Sequence, residues 1–129
     1  MKKNLRLMMM LAALGVIFVC AAATFAQDTQ MTGNYRPVLV SDKEVVSAAK
    51  YAVKQIAKKE HAVIKLISVK QAESQVVAGR NYRLCLEVTI QQKGKKEKVT
   101  KNIQAVVFLN LKQKLELTSW EQAVCIQLI

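Results

Sequence analysis

The chain has 129 residues, of which 20 are Lys or Arg and 9 are Asp or Glu, a formal charge of +11, and 52% are hydrophobic. That length allows one small domain with a single core. One His and three Cys, with no CxxC pair and no His-Cys cluster, leave little from which to build a metal site or a Cys-His nucleophile, so no metal, cofactor or catalytic residue is assigned.

Lys2, Lys3 and Arg6 precede an apolar run from Leu7 to about Ala23, and the chain turns polar at Gln27 and Asp28. This is the layout of a secretory signal peptide. Cleavage after Ala23 and cleavage after Ala26 both satisfy the small-residue rule, and an uncleaved membrane anchor is the alternative. With cleavage after Ala26, segment 1–26 is the signal and 27–129 the mature domain, exterior or periplasmic and without a membrane attachment. Seventeen basic and nine acidic residues remain, a balance of +8, which could draw the domain to an anionic surface or an acidic partner and alone chooses none.

From Gln27 to Val40 the sequence has no helical period and contains Gly33 and Pro37, so it is expected to be extended and partly mobile. Ser41 with Glu44 three residues later forms a candidate capping box. Val45, Ala49, Ala52, Val53 and Ile56 then follow at helical spacing, with Lys50, Lys54 and Lys58 on the opposite side. His61 falls at the junction between this helix and the next strand and is expected to be a solvated connector.

Ala62 to Val69 is rich in Val, Ile and Leu, and Tyr82 to Ile90 alternates with period two, so both read as strands. Tyr82, Leu84, Leu86, Val88 and Ile90 point one way and Cys85 the other. Between the two strands lies Gln75-Val76-Val77-Ala78-Gly79, an apolar run where turns are usually polar. Either a hairpin tip carries Val76 and Val77 outward for contact with a partner, or these valines are the last buried residues of a strand. Gln91 to Lys98, with Gly94 among lysines, reads as a solvated hairpin connection. Strands from about Val99 to Leu109 and about Gln113 to Trp120 complete the pattern, with the turn between them at Asn110-Leu111. One helix followed by antiparallel strands defines an α+β fold.

Gln75 to Gly79 followed by Asn81-Tyr82 resembles the first inhibitory loop and following strand of the cystatins, inhibitors of papain-like cysteine proteases. Ala48-Ala49-Lys50-Tyr51-Ala52-Val53 is similar to the helix signature of the plant cystatins, and Met31 to Val38 to their N-terminal glycine region. The resemblance implies a sheet of about five antiparallel strands wrapped around one long helix. It implies a three-part wedge made of the segment around Gly33, the Gln75–Gly79 loop and a second hairpin loop, here Asn110-Leu111. It further implies a papain-like cysteine protease as partner, blocked reversibly and tightly by steric occlusion with no covalent step, a monomeric inhibitor, and no nucleic-acid partner. Two positions depart from the family pattern: Asn34 stands for the second glycine, and Asn110-Leu111 for Pro-Trp. Trp120 belongs to the far end of the last strand and does not replace the missing tryptophan.

On this topology Cys85 and Cys125 would be separated by one intervening strand, about 9.5 Å apart, too far for a direct bridge unless the tail from Gln122 folds back across the sheet. Their pairing stays open. A non-inhibitory module of the same fold, contacting an anionic polymer through Lys95 and Lys96, is the second hypothesis. A small enzyme using Glu87 or His61 is the third.

Overall fold

The computed structural model of the protein describes residues 33–125. The expected signal at 1–26, and Met31 and Thr32 at the start of the N-terminal glycine region, lie outside the described residues. In chain order the elements are β1 (Arg36–Pro37), helix α1 (Lys43–Glu60), β2 (Ala62–Val77), β3 (Gly79–Gln92), β4 (Lys98–Leu109) and β5 (Leu115–Gln122). The five strands form one antiparallel sheet in the order β1-β2-β3-β4-β5, and α1 packs on β2 through β5. This is the α+β architecture expected.

The helix begins one residue later than the capping box implied. Asp42, not Ser41, is the N-cap, its carboxylate accepting from the Glu44 backbone N–H at 3.0 Å. Glu44 cannot complete a capping box because its own carboxylate turns toward β3, where it accepts from the Tyr82 hydroxyl. At the other end His61 takes a left-handed conformation (φ 50°), and its N–H donates to the Ala57 carbonyl. It is exposed, as expected of a connector. Val45, Ala48, Ala49, Ala52, Val53 and Ile56 form the buried stripe; the alanines let the helix axis approach the sheet closely.

Against that stripe β3 sets Tyr82, Leu84, Leu86 and Val88, all buried. Burying each such side chain is worth about 1.5–3 kcal/mol, so the helix and β3 make the centre of the core. Ile103, Ala105 and Val107 continue it from β4.

β2 runs much further than the sequence indicated, to Val77 instead of about Val69. It does so with two irregularities of register against β3, between Leu66 and Ser68 and between Val69 and Gln71. Ala62, Ile64 and Leu66 face the helix. Past the first bulge the core-facing position becomes Val69, opposite Leu86; past the second it becomes Ala72, opposite Leu84. Each bulge inserts one unpaired residue and so reverses which face the following residues take.

After β5 the chain turns back across β4. The Ala123 N–H donates to the Asn102 carbonyl, and Cys125 is brought into contact with Cys85, their Cα atoms 5.9 Å apart. That spacing lies within the disulfide range. The returning tail bridges the intervening strand that a direct Cys85–Cys125 bond could not have spanned.

Candidate functional site

Three segments meet at one end of the sheet. The first is the chain entering β1: the Gly33 N–H donates to the Val76 carbonyl at 3.1 Å, Arg36 and Pro37 pair with Ser74 and Glu73, and the Val38 N–H donates to the Ala72 carbonyl at 3.0 Å. The N-terminal segment is therefore laid along the edge of β2 rather than left detached from the domain. Tyr35 adds to this, its ring lying 4.1 Å from the Arg83 guanidinium, while Arg83 Nε donates to Glu73 at 2.7 Å. A buried carboxylate, Glu73, is in this way neutralised by a charge-assisted bond.

The second segment is the β2–β3 tip. Val77 pairs with Gly79 across the single residue Ala78. Such a tight reversal requires an unusual backbone, and Gly79 supplies it with φ 116°. A Cβ there would also collide with the Leu109 carbonyl oxygen and lie 2.9 Å from the Phe108 ring. Val76 is 58% exposed, Ala78 is exposed and Val77 is half-buried. The valines thus end a strand yet are carried outward. Gln75 is spent locally, accepting from the Asn81 side-chain amide at 3.1 Å.

The third segment is the β4–β5 loop, held beside the first tip because Arg80 pairs with Leu109. Asn110 is its hub. The Asn110 side-chain oxygen accepts from the N–H groups of Lys112 (2.9 Å) and Lys114 (3.0 Å), and its backbone bonds to Lys114 and Gln113. Asn110 therefore shapes the loop, and Leu111, 78% exposed, is the side chain it presents.

Sequence reasoning gave no role to a cluster just behind the tip. Tyr82 donates to Glu44, which also pairs with Arg80 at 3.3 Å. Burial first, and the Glu44 bond second, push the Tyr82 hydroxyl above its ordinary range. The cluster ties the first turn of the helix to the root of the hairpin. Its only trace in the sequence was a cation directly after the turn glycine.

Trp120 lies at the far end of β5, opposite Ala105 and half-buried against the core, with the Lys59 ammonium 5.5 Å from its ring centre. Glu87 is paired with Lys70 at 2.8 Å, and His61 stands on a separate element. Among the described residues no three His, Cys, Asp or Glu side chains group so as to hold a metal, and no helix is long and apolar enough to cross a membrane.

A sheet wrapped on one helix with two apolar hairpin tips and a strapped N-terminal segment at one end defines a fold shared with solved cystatins. The structure resembles that of a salivary cystatin from the soft tick Ornithodoros moubata (TM-score 0.57, 19% identity, 71% of this chain and 98% of that one). It also resembles dimeric human cystatin F (TM-score 0.63, 17% identity, 84% and 98%). In sequence, residues 38–123 match the SQAPI family, described as an aspartic acid proteinase inhibitor. The chain is 38% identical over 71 residues to cysteine proteinase inhibitor 7 of Arabidopsis thaliana, covering 55% of this chain and 30% of that protein. It is 37% identical over 91 residues to a cystatin of Naja kaouthia, covering 67% and 64%, and 35% identical over 85 residues to putative cysteine proteinase inhibitor 7 of Oryza sativa, covering 63% and 67%. The chain belongs to the cystatin family of proteinase inhibitors. It spans about a third and about two thirds, respectively, of the lengths of the Arabidopsis and Naja relatives.

Proposed function

We propose that the protein is a reversible inhibitor of papain-like cysteine proteinases, acting by occlusion of the active-site cleft. The observation that carries this is the pairing of two exposed aliphatic side chains, Val76 and Leu111, on adjacent hairpin tips fixed by one sheet. Val76, Ala78 and Leu111 would meet the cleft walls. Val77 and Gly79 would hold the turn, Gln75 and Asn110 would brace the loops, and Gly33 would guide the trunk into the substrate subsites. No bond is made or broken with the target nucleophile. Because the edge is shaped before binding, little ordering is required on association. Leu111 in place of a large aromatic anchor would weaken the complex by about 1–2 kcal/mol, and it leaves the mode of binding unchanged.

Segment 1–26 would direct the chain to secretion, and Cys85–Cys125 would be oxidised there. The free inhibitor would be a monomer.

Titration of papain with the purified protein tests the proposal. Reversible inhibition at or below micromolar concentration is expected. Val76→Asp combined with Leu111→Asp should weaken it at least about 100-fold, since the complex would desolvate two carboxylates, with an unchanged circular dichroism spectrum. A folded protein that leaves papain and cathepsin-like proteases fully active at that concentration would contradict it.

The description attached to the matched family favours a second target class, the aspartic proteinases. A pepsin-type enzyme assayed in parallel separates the two. If neither class is inhibited, the non-inhibitory module with a basic surface is what remains.

A further inference from the structure

At the opposite end of the molecule from the hairpin tips, α1 and the start of β2 form a shallow, open groove of about 750 Å³. Its floor is aliphatic: Val53, Ala57, Ala62, Ile64 and Leu66. Its rim is basic. Lys50, Lys54 and Lys58 follow one another at intervals of four residues, about 6 Å along the helix axis, and Lys93 stands at the start of the β3–β4 turn. No carboxylate lines the groove. None of these four lysines has an ion-pair partner among the described residues, whereas Glu44, Glu73 and Glu87 are committed to Arg80, Arg83 and Lys70.

We propose that this groove is a binding site for a single-chain aliphatic carboxylate, the chain lying on the Val53–Ile64 floor and the head group meeting the lysine rim. Several unpaired ammonium groups around one concavity raise the local positive potential and select an anion. The groove's size and its mixture of an apolar floor with a few convergent charges are those of small-molecule sites. The floor decides against a hydrophilic polyanion, which would use the lysines and leave the aliphatic surface idle. A membrane surface is met by several protruding apolar side chains, whereas Val53, Ala62 and Ile64 are buried here and Val63 is the one large apolar lining residue that stands out into solvent.

The test is a two-dimensional amide NMR titration with sodium dodecanoate below its micelle concentration, alongside dodecanol, heparin and phosphatidylglycerol vesicles. Saturable shifts are expected at Val53, Ala57 and Ala62 to Ile64, with Val76 to Gly79 unmoved. Dodecanol should bind far more weakly, and Lys54→Glu with Lys58→Glu should raise the dodecanoate dissociation constant at least about tenfold. Lys93→Glu, on a different element, should act in the same direction and serves where the helix variant folds poorly. Absence of saturable shifts in the unaltered protein, shifts located elsewhere, equal binding of dodecanol, or unchanged affinity in folded variants would overturn the proposal. So would binding to heparin or vesicles without binding to dodecanoate.

Discussion

Gly79 has the most demanding backbone position at the proposed inhibitory edge. Its φ of 116° and the crowding from Leu109 and Phe108 act together. Gly79→Ala should therefore cost at least about 1–3 kcal/mol in urea unfolding and should weaken papain inhibition by more than the stability loss explains. Tyr82 supplies a pH signature. Its neutral form is favoured in the fold, so the contribution is whole below the ordinary tyrosine range and is lost as pH rises through the raised folded value. Urea midpoints measured from pH 9 upward should fall more steeply for the native protein than for Tyr82→Phe. At this scale the sequence located the residues that the structure gathers at one end of the sheet, but not their division of labour. Asn110 and Gln75 were legible as members of the edge, yet the hydrogen bonds that turn them inward join groups whose approach is decided only by the folded backbone.

The C-terminal tail owes its position to a contact that strand patterning could not foresee. Period two placed Cys85 on the outer face correctly; nothing in the composition of residues 121–125 revealed that the chain would return across β4. By the unfolded-chain entropy that a 40-residue loop removes, this crosslink is worth about 4 kcal/mol. Cys125→Ser should lower stability by an amount of that order, and the denatured native protein without reductant should show no reaction of Cys85 or Cys125 with a thiol reagent. The length of β2 was hidden for a different reason. Alternation held from Ala62 to Leu66 and then failed twice within five residues, so the stretch from Ser68 to Ser74 carried no readable period. The capping box misled by one residue because Asp42 and Ser41 are both competent caps and Glu44 had a better partner in Tyr82.

Across the whole molecule the proposed proteinase edge and the basic groove occupy opposite ends of β2. Ten residues separate Leu66 from Val76, about 30 Å along a strand. Sites so far apart with no shared side chains act independently to a first approximation. Saturating dodecanoate should accordingly leave the papain inhibition constant within about twofold of its value without ligand, as measured in the same titration. The fold was readable at this scale because its helical stripe and its strand alternation were both strong. The groove was not: Lys50, Lys54 and Lys58 looked like an ordinary solvated face until β2 and Lys93 were seen to lie beside them.

The two bulges of β2 give the arm two places where its length can change without turning a side chain over. Ile67 and Lys70 are the residues left unpaired, so deleting either one leaves Val69 opposite Leu86, Ala72 opposite Leu84 and Val76 opposite Arg80. Deleting a paired residue beyond them, such as Glu73, has no such slack and would exchange inside for outside along one side of the cut. Lineages and designers alike can therefore shorten this arm by single residues at the bulges, whereas elsewhere along it only changes in pairs keep the same side chains in view at the tip.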